Sequence, residues 1–118
     1  MGDEAGNLAE AAVTATPRPP LYRPALGAVV RPPLVLAWER VEGARFYNLQ
    51  LLRDGVKVLS AWPATPRLRL ASSWRFRGRE RSLVPGRYRW FVWPARGTRE
   101  RPQYGRALGS SSFVVRRK

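Results

Sequence analysis

Apolar residues recur at every second position in several short stretches of this chain, separated by Pro, Gly and charged residues. That period predicts strands rather than helices. Leu34, Leu36 and Trp38 alternate with Val35 and Ala37 and stop at Glu39-Arg40. After a turn at 41–44, residues 45–53 place Tyr47, Leu49 and Leu51 on one side and Phe46, Asn48, Gln50 and Leu52 on the other. Asp54-Gly55 is a hairpin turn, and Val56-Lys57-Val58-Leu59 returns antiparallel to it. Arg67-Leu68-Arg69-Leu70 reads as a short strand with its leucines inward. The densest pattern is Leu83-Val84-Pro85-Gly86-Arg87-Tyr88-Arg89-Trp90-Phe91-Val92-Trp93, where a Pro-Gly turn runs directly into a strand. Tyr88, Trp90 and Val92 share its inner face. Residues 111–115 form the last strand, with Phe113 and Val115 on one face.

The remaining segments predict connections. Residues 72–81 carry Trp74 and Phe76 among dense charge and read as a loop, as do residues 95–103 between Pro94 and Pro102. Six prolines in residues 17–33 exclude a helix interior and favour extended backbone. A short helix over 7–13 is marginal alone. The organisation predicted is a disordered or extended Pro-rich N-terminal arm or linker over 1–30 and one domain over 31–118. That domain is all-β, an antiparallel β-sandwich of about seven strands, with Trp38, Tyr47, Leu49, Trp90 and Val92 in its core.

Strands in this order resemble a fibronectin type III domain, or an immunoglobulin-like relative, over about residues 31–116. Four places carry the resemblance. Pro33-Leu34-Val35-Leu36-Ala37-Trp38 is similar to the second strand, and Gly43-Ala44-Arg45-Phe46-Tyr47-Asn48-Leu49-Gln50-Leu51 to the third. Leu83-Val84-Pro85-Gly86-Arg87-Tyr88 resembles the tyrosine corner, and Tyr88-Arg89-Trp90-Phe91-Val92 the sixth strand. The corner is one residue shorter than the common Leu-x-Pro-x-x-x-Tyr form, and a first strand is absent unless residues 26–30 supply it. The resemblance implies a structural corner of Leu83, Pro85, Gly86 and Tyr88, whose hydroxyl bonds backbone a few residues upstream. It also implies a noncatalytic interaction or spacer module with a protein or neighbouring domain as partner, outside the cytoplasm or at the cell surface.

Composition removes most chemistry. The 118 residues include no Cys and no His, which excludes disulfides, thiolate and imidazole catalysis and nearly every zinc site. Glu39 and Glu42 lie beside Arg40 and Arg45 and read as solvated ion pairs. The serines at 110–112 have no base to activate them, and residues 105–109 lack the strand-to-helix context of a phosphate loop. No enzyme activity and no cofactor are expected. No apolar run reaches the roughly 18 residues of a membrane span, and no secretory signal is visible at the N-terminus.

Charge adds a second candidate function. Lys and Arg number 22 against 8 acidic residues, a net charge of +14, and only Lys57 and Lys118 are lysines. Asp3, Glu4 and Glu10 lie in an N-terminal segment without a basic residue, so the body is more basic still. The excess reads either as compositional bias or as a footprint for an anionic polymer, nucleic acid or acidic polysaccharide. Arg67, Arg69, Arg75, Arg77 and Arg79 are the candidate polyanion contacts, since period two sets each group on a single strand face if those segments are extended. The candidate partner contact is the outward face of the central strands: Phe46, Gln50, Leu52, Phe91 and Trp93, with Arg89 at its edge. Contiguous exposed aromatics mark contact with a partner.

Overall fold

The computed structural model describes residues 19–116. Eleven strands and no helix occur among them. One sheet has the order β1 (Leu21–Arg23), β3 (Leu34–Trp38), β6 (Arg67–Leu70). The larger sheet runs β2 (Ala28–Val30), β11 (Gly109–Val115), β9 (Gly86–Gly97), β4 (Phe46–Arg53), β5 (Val56–Ala61), and β10 (Pro102–Tyr104) pairs with the far end of β9. A separate hairpin joins β7 (Ser73–Phe76) to β8 (Arg79–Ser82).

Period-two alternation turns Leu34, Leu36 and Trp38 of the smaller sheet toward Tyr47, Leu49, Leu51, Tyr88, Trp90, Val92 and Phe113 of the larger one, in a single hydrophobic cluster. Trp38 meets Tyr47 edge-on at 5.5 Å and Trp90 at 6.1 Å. Tyr88 stacks on Phe113 at 5.3 Å. Contacts of these kinds contribute about 0.5–1.5 kcal/mol each beyond the area they bury.

Several expectations change. Within the stretch assigned to the arm, Leu21 is only 3% exposed and pairs opposite Trp38, while Ala28–Val30 pairs with β11. Proline cannot donate to a ladder, so strands in this Pro-rich stretch lie at sheet edges, where one side needs no donor. The β2–β11 pair is parallel, so the sheets are not wholly antiparallel. Residues 1–18, with the acidic segment and the helix expected over 7–13, lie outside the described residues.

The segment 72–81 is a hairpin rather than a loop. Arg77 and Gly78 take φ 55° and 77° at its turn, the left-handed pair that a two-residue hairpin needs. The Trp74 indole N–H donates to the Val58 carbonyl at 2.7 Å, tying the hairpin to the outer edge of β5. Residues 95–103 are likewise mostly strand: β9 continues through Pro94 to Gly97 and returns as β10.

Two arginines lock the central β4–β9 pair. Arg53, at the end of β4, donates from Nη2 to the Pro85 carbonyl at 2.9 Å, in the turn that precedes β9. Arg96, near the end of β9, donates from Nη2 to the Glu42 carbonyl at 3.1 Å, in the turn that precedes β4. Each guanidinium lies against a glycine: a Cβ on Gly86 would come within 2.8 Å of Arg53, and one on Gly43 within 2.8 Å of Arg96. At the Arg53 end the Tyr88 hydroxyl donates to the Val84 carbonyl at 2.7 Å.

Candidate interaction face

The alternation that sends Tyr88, Trp90 and Val92 inward sends Arg87, Arg89, Phe91, Trp93 and Ala95 of β9 to the outer face of the larger sheet. Their cross-strand neighbours follow from the register. Leu52 lies opposite Arg89, Gln50 opposite Phe91, Asn48 opposite Trp93 and Phe46 opposite Ala95. On the other flank Ser112 is opposite Arg89, Ser110 opposite Phe91 and Tyr104 opposite Ala95.

A ladder of planar groups runs up this face. The Arg89 guanidinium lies 5.5 Å from the Phe91 ring centroid, and Phe91 stacks on Trp93 at 5.9 Å with 24° between the planes. Both rings are half-buried, and Arg89 is exposed. Two neutral polar groups beside the ladder, Asn48 and Gln50, are engaged within the fold. The Asn48 amide donates to Ser60 Oγ and to the Ala61 carbonyl, both at 3.1 Å. The Gln50 amide donates to Asn48 Oδ1 at 2.9 Å.

Phe46 departs from the expectation of an exposed contact. It points to the outer face but is only 2% exposed. Small Ala95 leaves room for the rings on its two flanks to meet, Phe46 and Tyr104, at 6.3 Å. Arg99, from the turn before β10, places its guanidinium 4.9 Å over the Phe46 ring and donates to the Trp62 carbonyl at 3.0 Å. The Trp62 indole in turn donates to the Tyr104 hydroxyl at 2.9 Å. The exposed rings at this end are therefore Trp62, 47% exposed, and Tyr104, 45% exposed. Sequence reasoning missed both, although each aromatic stands next to a turn former, Trp62 before Pro63 and Tyr104 before Gly105.

At the opposite end of the ladder the face sinks into a groove of about 480 Å³, lined among others by Leu52, Arg87, Arg89, Phe91, Ser110 and Ser112. Arg89 Nη2 reaches Ser110 Oγ at 3.4 Å. The one carboxylate lining the groove among the described residues, Asp54, is paired with Arg53 at 3.4 Å. No family model, curated protein or solved structure matches the chain. The face must therefore be read from its own chemistry: stacked rings and guanidinium groups, with serine hydroxyls along the groove.

The five arginines singled out for a polyanion do not form one stripe. Arg67 and Arg69 project from β6 on the smaller sheet, opposite Ala37 and Val35. Arg75 bonds the Gly78 carbonyl at 2.8 Å and lies 3.9 Å from Glu80. Arg77 occupies the hairpin turn, folded over Phe76 at 4.9 Å. Arg79 is opposite Phe76 on the strand that follows. The turn at Arg77-Gly78 breaks the period-two run, so Arg75 and Arg79 sit on different faces of the hairpin.

Proposed function

We propose that this chain is a noncatalytic interaction module of the fibronectin type III kind, which meets its partner with the outer face of the larger sheet. The Arg89–Phe91–Trp93 ladder carries the reading. An aromatic stack left half-exposed across the centre of a sheet adds little to a core already filled from the other side, and such rings are what contact surfaces are enriched in. Two observations support the family resemblance. The strands of the two facing sheets divide three against six, with chain-early β1 and β3 beside β6 on one sheet and β4, β9 and β11 adjacent on the other. The Tyr88 hydroxyl bonds the backbone four residues upstream, as in the corner of immunoglobulin-like sandwiches.

The test replaces Phe91 and Trp93 together by Ser in the full chain. The variant is expected to melt cooperatively like the parent, because both rings face away from the core. Parent and variant are then screened against arrays of proteins, glycans and nucleic acids. Ligands bound by the parent and lost by the variant support the assignment. An unfolded variant, or identical binding by both proteins, overturns it.

A further inference from the structure

We infer that the occupant of this face is single-stranded nucleic acid, held by base stacking on Phe91 and Trp93 and by phosphate contact from Arg87 and Arg89. The inference rests on the proposal that the outer face is the contact surface, and adds which chemistry fills it. Arg87, Arg89, Phe91 and Trp93 occupy successive same-face positions of β9, a strip spanning about 20 Å at the usual rise per residue. Guanidinium groups at one end and planar rings at the other match the two repeating parts of a nucleotide chain, and groove plus stacking platform is the recurrent design for such strands.

Charge complementarity supports an anionic occupant. The chain carries +14 overall, and no acidic residue stands at an outward position of β4, β9 or β11. Among the described residues, the one carboxylate at the groove rim is already paired with Arg53. Arg87 is exposed and lines the groove, where its donors can meet a phosphate. A neutral sugar chain gains nothing from this charge, and an acidic one offers no flat base to stack on the rings. The amides of Asn48 and Gln50 beside the rings are already engaged with Ser60, Ala61 and each other, which leaves the guanidinium groups and the groove serines as the polar contacts of the face. Duplex DNA is disfavoured because its bases are stacked on one another and offer these rings no free face.

The experiment titrates the full chain into a fluorescein-labelled mixed-sequence 12-nucleotide DNA strand and follows anisotropy at several salt concentrations between 50 and 300 mM (~ the range over which counterion release is readily measured). Expected is binding to the single strand, weaker binding to the same sequence as duplex, and quenching of tryptophan fluorescence. Trp93→Ala should weaken binding at least about fivefold, the lower end for loss of a stacking partner, while Trp93→Phe retains most of it. Arg87→Ala and Arg89→Ala should each reduce the slope of log K against log salt by about 0.7. Arg67→Ala and Arg69→Ala, on the smaller sheet, should leave affinity within about twofold, and every variant is checked by thermal melting first.

Absence of binding at 50 mM salt, equal affinity for duplex or heparin, or equal loss from the Arg67 and Arg89 variants overturns the inference (the salt value is ~ the low end of that range). The array screen separates the two failures. Should the Phe91/Trp93 variant lose ligands of another class there, only the nucleic-acid occupant falls.

Discussion

Tyr88 ties the larger sheet to the turn that enters it. Its hydroxyl donates to the Val84 carbonyl at 2.7 Å while its ring stacks on Phe113. Tyr88→Phe keeps the ring and removes the bond, and should cost about 1 kcal/mol in a denaturant melt. Burial pushes the hydroxyl above its ordinary value of 10, against the opposing influence of Arg53 and the Val84 bond. A raised acid stays protonated longer in the folded chain than in the unfolded one, so this contribution is whole below the unfolded value and is lost as pH rises through the folded one. The parent should therefore lose stability above about pH 10 more steeply than Tyr88→Phe, and the gap between them should narrow. Ser111 offers the converse case. It is 4% exposed, and its Oγ has no hydrogen-bond partner among the described residues. Ser111→Ala deletes a polar atom whose burial is uncompensated, so its melting temperature should stay level or rise, by up to about 1 kcal/mol in stability.

Among the elements, the β4–β9 pair depends on side chains that reach around its ends. Gly86 has φ 149°, and a Cβ there would have to push the Arg53 guanidinium aside. Gly86→Ala should destabilise by about 1–3 kcal/mol through strained backbone and displacement of the guanidinium from Pro85. In an Arg53→Ala background the displacement no longer counts, so a double-mutant cycle should show coupling of about 0.5–3 kcal/mol. Additive losses would mean that the clasp does not bear on the glycine. The elements also show where sequence was readable. β3, β4, β6 and β9 were visible because their inner faces alternate strictly, and the β4–β5 turn because Asp54-Gly55 favours the left-handed conformations it adopts. The β7–β8 hairpin was not visible, because Arg77 takes a left-handed position more often given to Asn or Asp, and five charges hide the Trp74 and Phe76 alternation. β1, β2 and β10 are three residues each, too short to carry a period and defined only by what they pair with. The candidate face was half legible for the same reason. Phe91 and Trp93 follow from alternation, whereas the cover over Phe46 comes from Arg99 and Tyr104, more than 50 positions away along the chain, which local pattern does not connect.

For the whole molecule, the arginine excess divides into distinct uses. Arg53 and Arg96 clasp turns, Arg75 and Arg77 fold back on their own hairpin, Arg99 covers an aromatic ring, and Arg87 and Arg89 border the groove. Arg67 and Arg69 stand on β6, the terminal strand of the smaller sheet, where charge discourages edge-to-edge pairing with another copy. Replacing both by Thr should leave the melt nearly unchanged yet produce concentration-dependent association in sedimentation velocity. A variant that stays monomeric at all concentrations would remove that role.

The paired clasps also decide where the polypeptide tolerates added sequence. The turns at Gly43 and Gly86 are occupied by guanidinium groups from remote strands, so foreign residues inserted there must displace an anchor. The turns at Gly55 and Gly78 have nothing within 4 Å of where a Cβ would stand. As a scaffold for displaying grafted peptides, the protein should accept a short Gly/Ser insert between Arg77 and Gly78 and refuse the same insert between Pro85 and Gly86, a contrast that soluble yield and thermal melting would read directly.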